Sequence, residues 1–236
     1  MIFLTIVIPC FNESEGIEAL VNKCVDFNAY KDIEIIFINN GSTDNTLERL
    51  KALLPTVTGS KLIHLDHNQG YGGGILRGLN EASGKYIGWT HADLQCNPLD
   101  CLIAYEKIIN SEKIFFKGKR FGRPLMDIFF TLGMSFLESL LFRLRLSDIN
   151  AQPTIFAKDL FLKIKDKAPS DFSLDLYFYV FALKEGYDII RSPVYFGKRY
   201  FGKSSWNNGI TSRIKFIKRT LDFSFKLKKS INSDHN

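Results

Sequence analysis

The feature that most constrains the fold is a regular alternation, through the first half of the chain, of short β-rich runs with segments of helical periodicity. The runs predicted as strands cover residues 3–8, 33–38, 61–65 and 85–89. The segments predicted as helices follow them in turn, at residues 14–27, 44–53, 72–82 and 98–109. Because parallel strands need crossover connections, which helices supply, this pattern predicts a mostly parallel sheet with helices on both faces.

After residue 110 the alternation is looser, but the same kinds of segment recur. Strands are predicted at 114–119, 153–157 and 188–196, and helices at 125–142 and 170–183. No linker rich in proline, glycine or serine interrupts the chain, and 45% of its residues are hydrophobic, which favours one α/β domain over a disordered chain. We expect this domain to cover residues 1–206, with halves at 1–110 and 111–206. A basic tail follows at 207–236.

The longest apolar stretch, residues 125–142, has the length of a membrane span but carries a polar stripe. The stripe consists of Asp127, Thr131, Ser135 and Glu138, at steps of four, four and three. At 3.6 residues per turn these side chains share one face of a helix. Burying either carboxylate at the centre of a bilayer would cost about 2–4 kcal/mol. The stretch is therefore predicted to be an amphipathic helix that packs on the protein or on a membrane surface.

Polar sequences stand at the ends of three predicted strands. They are residues 9–13 (Pro-Cys-Phe-Asn-Glu), 39–44 (Asn-Asn-Gly-Ser-Thr-Asp) and 90–95 (Thr-His-Ala-Asp-Leu-Gln). The carboxyl ends of parallel strands meet at one edge of the sheet, which is where ligands bind in such folds. Taken alone, the second sequence is typical of a turn and a helix N-cap, and a single histidine is more often structural. Together the three loops predict one binding site.

Two glycine-containing segments resemble phosphate-binding motifs without fitting them. Residues 70–74 lack the third glycine of a dinucleotide fingerprint and follow the third predicted strand instead of the first, so close packing of a helix is the favoured interpretation. Residues 197–204 match the P-loop expression, but Arg199, Tyr200 and Phe201 are too bulky for a backbone phosphate cradle. Arg199 and Lys203 nevertheless remain candidates for binding a diphosphate.

The net charge of +6 is concentrated near the end of the chain. Residues 1–212 hold 24 basic and 23 acidic residues, whereas residues 213–229 hold seven basic residues and one acidic residue. This distribution argues against a broad basic face that binds nucleic acid. Apolar residues at helical spacing run through residues 210–229, which predicts a basic amphipathic helix. Such a helix docks either on the domain or on an anionic membrane surface.

The four cysteines show neither metal-ligand spacing nor the density of a secreted disulfide framework. No positively charged segment precedes the first apolar run, as it does in a signal peptide. The sequence therefore predicts a reduced, cytoplasmic protein without a zinc site.

Four ordered motifs carry a resemblance to a known family. They are residues 5–13, residues 40–44, Asn68 with the glycine-rich segment after it, and residues 92–95. This pattern resembles glycosyltransferase family 2, and in particular the dolichol-phosphate mannose synthase type, over residues 4 to about 206. The resemblance implies a GT-A fold, with a nucleotide-binding first half and an acceptor-binding second half. It also implies inverting transfer of a sugar from a nucleotide-diphosphate donor.

The resemblance also implies roles for individual residues. Those implied to bind the nucleotide sugar are Pro9, Phe11, Glu13, Ile38, Asn40, Ser42, His91, Ala92, Asp93, Gln95, Arg120, Arg199 and Lys203. His91, Asp93 and Gln95 are implied to hold a divalent metal, Mn²⁺ or Mg²⁺, at the position of the family's DxD motif. Asp93 and Arg199 are implied to be catalytic, as is Asp175, which stands where the family often places a base for a hydroxyl acceptor.

Two departures from the family pattern bear on function. His91 replaces the first aspartate of DxD, and Asn39 with Asn40 replaces an acidic pair. An imidazole ligand such as His91 suits Mn²⁺ better than Mg²⁺.

The expected function is transfer to a lipid-linked acceptor, a polyprenyl phosphate or glycolipid, at the inner face of the cell membrane, in polysaccharide or glycolipid synthesis. Three alternatives stay open: a soluble or protein acceptor, a nucleotide-sugar binding protein without catalysis, and a nucleotidyltransferase.

Overall fold

The computed structural model describes residues 1–109, 113–201 and 210–233, with side chains for 217–231 in the last range. Its centre is a seven-stranded sheet in the order β3-β2-β1-β4-β6-β5-β7. The strands are β1 (Leu4–Cys10), β2 (Ile33–Asn40), β3 (Ser60–Leu65), β4 (Tyr86–Trp89), β5 (Ile114–Phe121), β6 (Thr154–Ala157) and β7 (Asp188–Tyr195). All seven strands lie where the sequence predicts them, to within two residues at most ends.

Within the described ranges, eight α-helices surround the sheet. They are α1 (Ile17–Cys24), α2 (Thr46–Leu53), α3 (Gly70–Glu81), α4 (Asp100–Ile108), α5 (Leu125–Phe142), α6 (Lys158–Ile164), α7 (Leu174–Lys184) and α8 (Ile210–Ser233). Buried residues of α1, α2 and α4 form a core on one face of the sheet. Those of α3, α6, α7 and α8 form a core on the other. The predicted α/β class is therefore confirmed, and α6 is the helix that the sequence pattern did not predict.

The sheet is mostly parallel, as predicted, with one antiparallel strand. β6 pairs antiparallel with both β4 and β5. The parallel pairs are β1 with β2, β1 with β4, β2 with β3, and β5 with β7. Glycines make room for this insertion. A Cβ at Gly88 in β4 would lie 2.1 Å from the Thr154 carbonyl oxygen, and one at Gly118 in β5 would lie 2.1 Å from that of Gln152. β6 thus joins the two halves into one sheet; their division near residue 110 stays a prediction.

Close packing of α3 on the sheet can be tested at Gly78, which follows the glycine-rich segment 70–74 in the same helix. A Cβ at Gly78 would lie 2.4 Å from Val7 Cγ1, whereas a Cβ at Gly133 in α5 would meet no atom within 4 Å. We expect Gly78→Ala to lower the free energy of unfolding by about 1–3 kcal/mol, because the extra methyl group overpacks the core. The matched Gly133→Ala should raise it by about 0.5–1 kcal/mol through helix propensity. Urea denaturation measures both; equal effects would contradict this account.

Candidate functional site

A cavity of about 730 Å³ opens at the carboxyl ends of β1, β2 and β4, the edge where the sequence predicts a site. Ten of the predicted site residues line it: Pro9, Phe11, Glu13, Asn40, His91, Ala92, Asp93, Gln95, Arg120 and Arg199. Three others lie elsewhere, namely Ile38, Ser42 and Asp175, and Lys203 lies outside the described residues. The parallel strands therefore bring together residues that are far apart in sequence. The role of each residue stays a prediction.

One wall of the cavity is an ion-pair cluster between the first loop and the last. Arg199 Nη2 donates to both carboxylate oxygens of Glu13, at 2.6 and 2.7 Å, and Arg199 Nη1 lies 3.7 Å from Asp93 Oδ2. Burial raises the pKa of Glu13 to about 7, although Arg199 opposes the shift. The Arg199 guanidinium thus stands between two carboxylates, within reach of any anionic group that enters the cavity.

Two hydrogen bonds hold the loop after β4 to the loop after β7, and a third lies within the loop after β4. Gln95 Nε2 donates to the Gly197 carbonyl at 3.0 Å, and the Gly197 backbone N–H donates to the Gln95 carbonyl at 2.8 Å. The Gln95 backbone N–H donates to Asp93 Oδ1 at 3.1 Å. Leu94, between them, has a left-handed φ of 57°, a conformation that side chains disfavour and that clusters at functional sites. These contacts fix Asp93 beside Arg199.

The predicted metal ligands provide a small donor set. Within the described ranges, no group of three or more His, Cys, Asp and Glu residues is placed to hold a metal ion. His91 and Asp93 both line the cavity, and the amide nitrogen of Gln95 is bonded to Gly197, which leaves its side-chain oxygen as the ligand atom. One carboxylate, one imidazole and one amide oxygen fit a divalent cation whose remaining ligands are diphosphate oxygens, and suit Mn²⁺ better than Mg²⁺.

Arg120, which also lines the cavity, is anchored by Asp148. Its Nε donates to Asp148 Oδ1 at 2.9 Å, its backbone N–H donates to Asp148 Oδ2 at 2.8 Å, and its guanidinium lies 5.2 Å from the Phe196 ring centroid. Burial raises the pKa of Asp148, but Arg120 and Arg123 outweigh burial and hold this pKa below its usual value. Arg123 donates to Thr131 at 2.9 Å, and its buried Nε has no hydrogen-bond partner. The sequence did not predict Arg123 as a cavity residue.

Asn40 uses its side chain to hold the start of α3. Its Nδ2 donates to the Gly70 carbonyl at 2.9 Å, and its Oδ1 accepts from the Gln69 backbone N–H at 3.0 Å. Ser42 Oγ accepts from the Asn12 backbone N–H at 3.1 Å, which ties the loops after β1 and β2 together. These two residues position the loops, and Asn40 also forms part of the cavity wall.

Ile38 lies in the core and not in the cavity, where the resemblance implied a role for it. Its side chain is fully buried among the hydrophobic residues beneath α3. Side chains alternate along a strand, so Ile38 and Asn40 face the same side of β2, but Ile38 lies two residues deeper in the sheet. The position at the mouth of the cavity belongs to Asn40.

Asp175 lies beneath the cavity, fully buried, neither lining it nor lying at a helix surface. It accepts hydrogen bonds from Tyr71 Oη at 2.9 Å, Gln152 Nε2 at 2.8 Å and Lys117 Nζ at 3.3 Å. The physical reason is that α7 is apolar on all sides and packs inside the core. Asp175 is thus placed to orient Tyr71, which does line the cavity and stacks on Phe172 with centroids 4.4 Å apart.

The polar stripe of α5 faces inward. Asp127, Thr131, Ser135 and Glu138 all line the cavity, and Ser224 Oγ of α8 donates to Glu138 Oε1 at 2.9 Å. The predicted segregation of polar and apolar faces is correct, but the face that meets the protein is the polar one. Arg219 and Thr220 of α8 also line the cavity, which the sequence pattern did not reveal.

Glu138 gives a prediction of pH dependence. Burial raises its pKa from 4.5 to about 7, although the Ser224 hydrogen bond opposes the shift, and its Oε2 has no partner. Because the folded state binds this proton more tightly than the unfolded state does, stability falls as pH rises from about 4.5 to 7. We expect Glu138→Gln to raise the free energy of unfolding by about 1–3 kcal/mol at pH 8 and to change it little at pH 4. Urea denaturation at both pH values measures the difference, and equal effects would contradict the burial account.

Sequence comparisons identify the family. The model described as Glycosyl transferase family 2 matches residues 5–164. The chain is 30% identical over 101 residues to dolichyl-phosphate beta-glucosyltransferase of Dictyostelium discoideum, covering 39% of this chain and 31% of that protein. It is 36% identical over 101 residues to undecaprenyl-phosphate 4-deoxy-4-formamido-L-arabinose transferase of Yersinia pestis (strain Pestoides F), covering 40% of this chain and 30% of that protein. The matched segment thus spans less than a third of these curated relatives.

Structural comparisons identify the fold. Glucosyl-3-phosphoglycerate synthase from Mycobacterium tuberculosis in complex with UDP superposes with a TM-score of 0.72 at 16% identity, covering 96% of this chain and 80% of that chain. Its complex with Mn²⁺ and UDP-glucose gives a TM-score of 0.71 at 18% identity, covering 96% and 78%. The architecture is GT-A. With this fold, and with a family model that matches more than half of its length, the chain belongs to glycosyltransferase family 2.

Proposed function

We propose that this protein transfers a sugar, with inversion, from a nucleotide-diphosphate donor to a lipid-linked acceptor at the cytoplasmic face of a membrane. The observation that carries the proposal is the convergence of His91, Asp93 and Arg199 in one cavity, on loops that follow two different strands. The two curated relatives act, by name, on dolichyl phosphate and undecaprenyl phosphate. Their names support a polyprenyl phosphate as the acceptor.

The donor would bind with its nucleoside between the loops after β1 and β2, near Pro9 and Phe11, and its diphosphate toward Asp93. A divalent cation held by Asp93, His91 and Gln95 would neutralise charge on the leaving diphosphate. Arg199 would exchange one of its carboxylate contacts for a phosphate oxygen, since a guanidinium fork suits both partners. Arg120, also in the cavity wall, stays fixed by Asp148. Together these groups stabilise the charge that develops as the glycosidic bond breaks.

A phosphate acceptor is already an anion and needs no general base. This fits the position of Asp175, which accepts three hydrogen bonds beneath the cavity and is held away from the reacting atoms. We infer that Asp175 is a positioning residue that orients Tyr71, in place of the base that the family resemblance implied.

Nucleotide binding tests the donor site. We expect UDP, GDP, CDP or dTDP, one of them preferentially, to raise the melting temperature in the presence of Mn²⁺, because a ligand that binds only the folded state stabilises it. The matching nucleoside monophosphate should have a much smaller effect, since it lacks the second phosphate. No stabilisation by any of the four diphosphates would argue against a nucleotide-sugar site.

One observation favours a second function, binding of a nucleotide sugar without catalysis. His91 stands where the family has a carboxylate, so the metal site carries one negative charge fewer. If catalysis is intact, His91→Asp should shift the metal preference from Mn²⁺ toward Mg²⁺ and keep turnover within about tenfold, because hard Mg²⁺ prefers oxygen ligands. Donor hydrolysis, measured with each metal for the wild type and for His91→Asp, distinguishes the transferase from the binding protein. Tight nucleotide binding without turnover, in both forms and with either metal, would favour the binding protein.

A further inference from the structure

The outer face of α5 is apolar and exposed along the whole helix. Six large apolar side chains are between 59% and 73% exposed: Leu125, Met126, Phe129, Leu132, Phe136 and Leu140. Their spacing of three or four residues, after the first pair, aligns them as one stripe about four turns long. A helix on the surface of a water-soluble domain places this kind of stripe against the core. Here the polar stripe faces the cavity and the apolar stripe faces outward.

The exposed stripe requires an apolar environment of its own. Contiguous apolar patches of this extent mark sites of protein or membrane contact. The cationic and aromatic groups around it favour a membrane. Arg143 and Arg145 are exposed at its carboxyl end, and Phe121 and Tyr195, 53% and 60% exposed, form an aromatic pair before its amino end. Arginine and tyrosine side chains at the ends of an apolar helix suit the headgroup region of a bilayer.

The contacts of α5 set its orientation in the membrane. By length and composition alone, α5 could cross a bilayer. However, Ser135 and Glu138 are buried against the domain, and Glu138 accepts a hydrogen bond from Ser224 of α8. A spanning orientation would break these contacts and expose two carboxylates to hydrocarbon. The helix is therefore suited to lie in the plane of the interface, with only its outer face in lipid.

We propose that α5 is an in-plane membrane helix, and that its outer stripe is the main contact of this protein with an anionic bilayer. This assigns the apolar contact to α5 and leaves to the basic side chains of α8, among them the exposed Lys226 and Lys229, the attraction to anionic headgroups. The sequence pattern alone leaves both residues 125–142 and residues 210–229 as candidates for contact with a membrane surface.

The position of α5 also suggests how an acceptor reaches the site, an inference that rests on the proposed function. The inner face of the helix lines the cavity while the outer face contacts lipid. A lipid-linked phosphate can therefore enter beside α5 with its hydrocarbon chain still in the bilayer. The acceptor would need no extraction into water, which is unfavourable because every CH₂ group of its chain would be exposed.

Vesicle co-sedimentation tests the membrane contact without any donor or acceptor. The full chain is mixed with phosphatidylcholine vesicles that either contain or lack phosphatidylglycerol. We expect the double variant Phe129→Glu/Phe136→Glu to lower the partition coefficient at least about tenfold, because two charges enter the apolar interface. The matched control is Leu162→Glu on α6, where the side chain is 51% exposed, and it should leave partition unchanged. Nucleotide-induced thermal stabilisation should be the same in all three proteins.

Two outcomes would overturn the proposal. Unchanged vesicle binding in the double variant would show that α5 does not contact lipid. Sedimentation equilibrium that shows a dimer of the wild type, dissociated by the double variant while vesicle binding persists, would assign the stripe to a second copy of the chain. Because the assay contains no donor, loss of vesicle binding in the variant would stand even if no transferase activity were found.

Discussion

Replacing Asp93 with alanine is expected to lower the rate of sugar transfer by about 100-fold or more, the range found when one group that stabilises developing charge is removed. Asp93 is the only carboxylate of the predicted metal set, and it also lies 3.7 Å from Arg199. Its loss would remove a cation ligand and free Arg199 to pair with Glu13 alone. The loss should appear in kcat at saturating donor as well as in the affinity for the nucleoside diphosphate, since the proposed cation would contact both the bound and the leaving diphosphate.

Two variants serve as controls for this result, one that removes a carboxylate at another position and one that removes only the charge of Asp93. Glu48→Ala on the exposed side of α2 removes a carboxylate that does not line the cavity and should leave the rate unchanged. Asp93→Asn keeps the shape and the hydrogen bond from the Gln95 backbone but removes the charge, so it should behave like alanine. Transfer by Asp93→Ala within about threefold of wild type would mean that the leaving diphosphate is stabilised without this residue.

Replacing Asp175 with alanine is expected to lower the free energy of unfolding by about 3–5 kcal/mol, because it leaves a buried cation without its partner. Lys117 and Asp175 are both fully buried, and their charged atoms are 3.3 Å apart. Burial lowers the pKa of Lys117 to about 8, although Asp175 raises it, so the lysine depends on this carboxylate to stay charged. Tyr71 and Gln152 would also each lose an acceptor.

A double variant separates the ion pair from the packing. Lys117→Met/Asp175→Leu replaces both charges by apolar groups and should be less destabilised than Asp175→Ala, because no unpaired charge remains. Asp66→Ala, at a carboxylate whose side chain is 94% exposed, is the surface control and should change stability by less than about 0.5 kcal/mol. Urea denaturation measures all three. A loss below about 1 kcal/mol in Asp175→Ala would contradict the buried-pair description.

The sequence predicted much of the site because two rules, strand periodicity and the meeting of parallel strand ends, do not depend on how side chains pack. Strand periodicity located all seven strands, and the meeting of parallel strand ends at one edge then brought residues such as Phe11, Asn40 and Asp93 into one cavity. These predictions needed no knowledge of side-chain packing. They succeeded for the loops whose position the topology determines.

The predictions that failed depended on tertiary packing. Periodicity identified the two faces of α5 but not which one meets the protein, because a cavity, unlike a core, accepts a polar face. The family position implies that Asp175 is a base in the site, whereas it is buried by partners that stand far away in sequence, here Tyr71, Lys117 and Gln152. Ile38 was assigned to the cavity by family position, whereas its depth in β2 places it in the core.

The most direct test of the proposed function is transfer itself. Vesicles that contain a polyprenyl phosphate are incubated with the protein, Mn²⁺ and radiolabelled nucleotide sugars whose nucleotide is chosen by thermal stabilisation. The account predicts label in the lipid fraction, at an anomeric configuration inverted from that of the donor, and loss of this label in Asp93→Ala. Label that appears only as free sugar, or a lipid product with the donor's configuration, would contradict it.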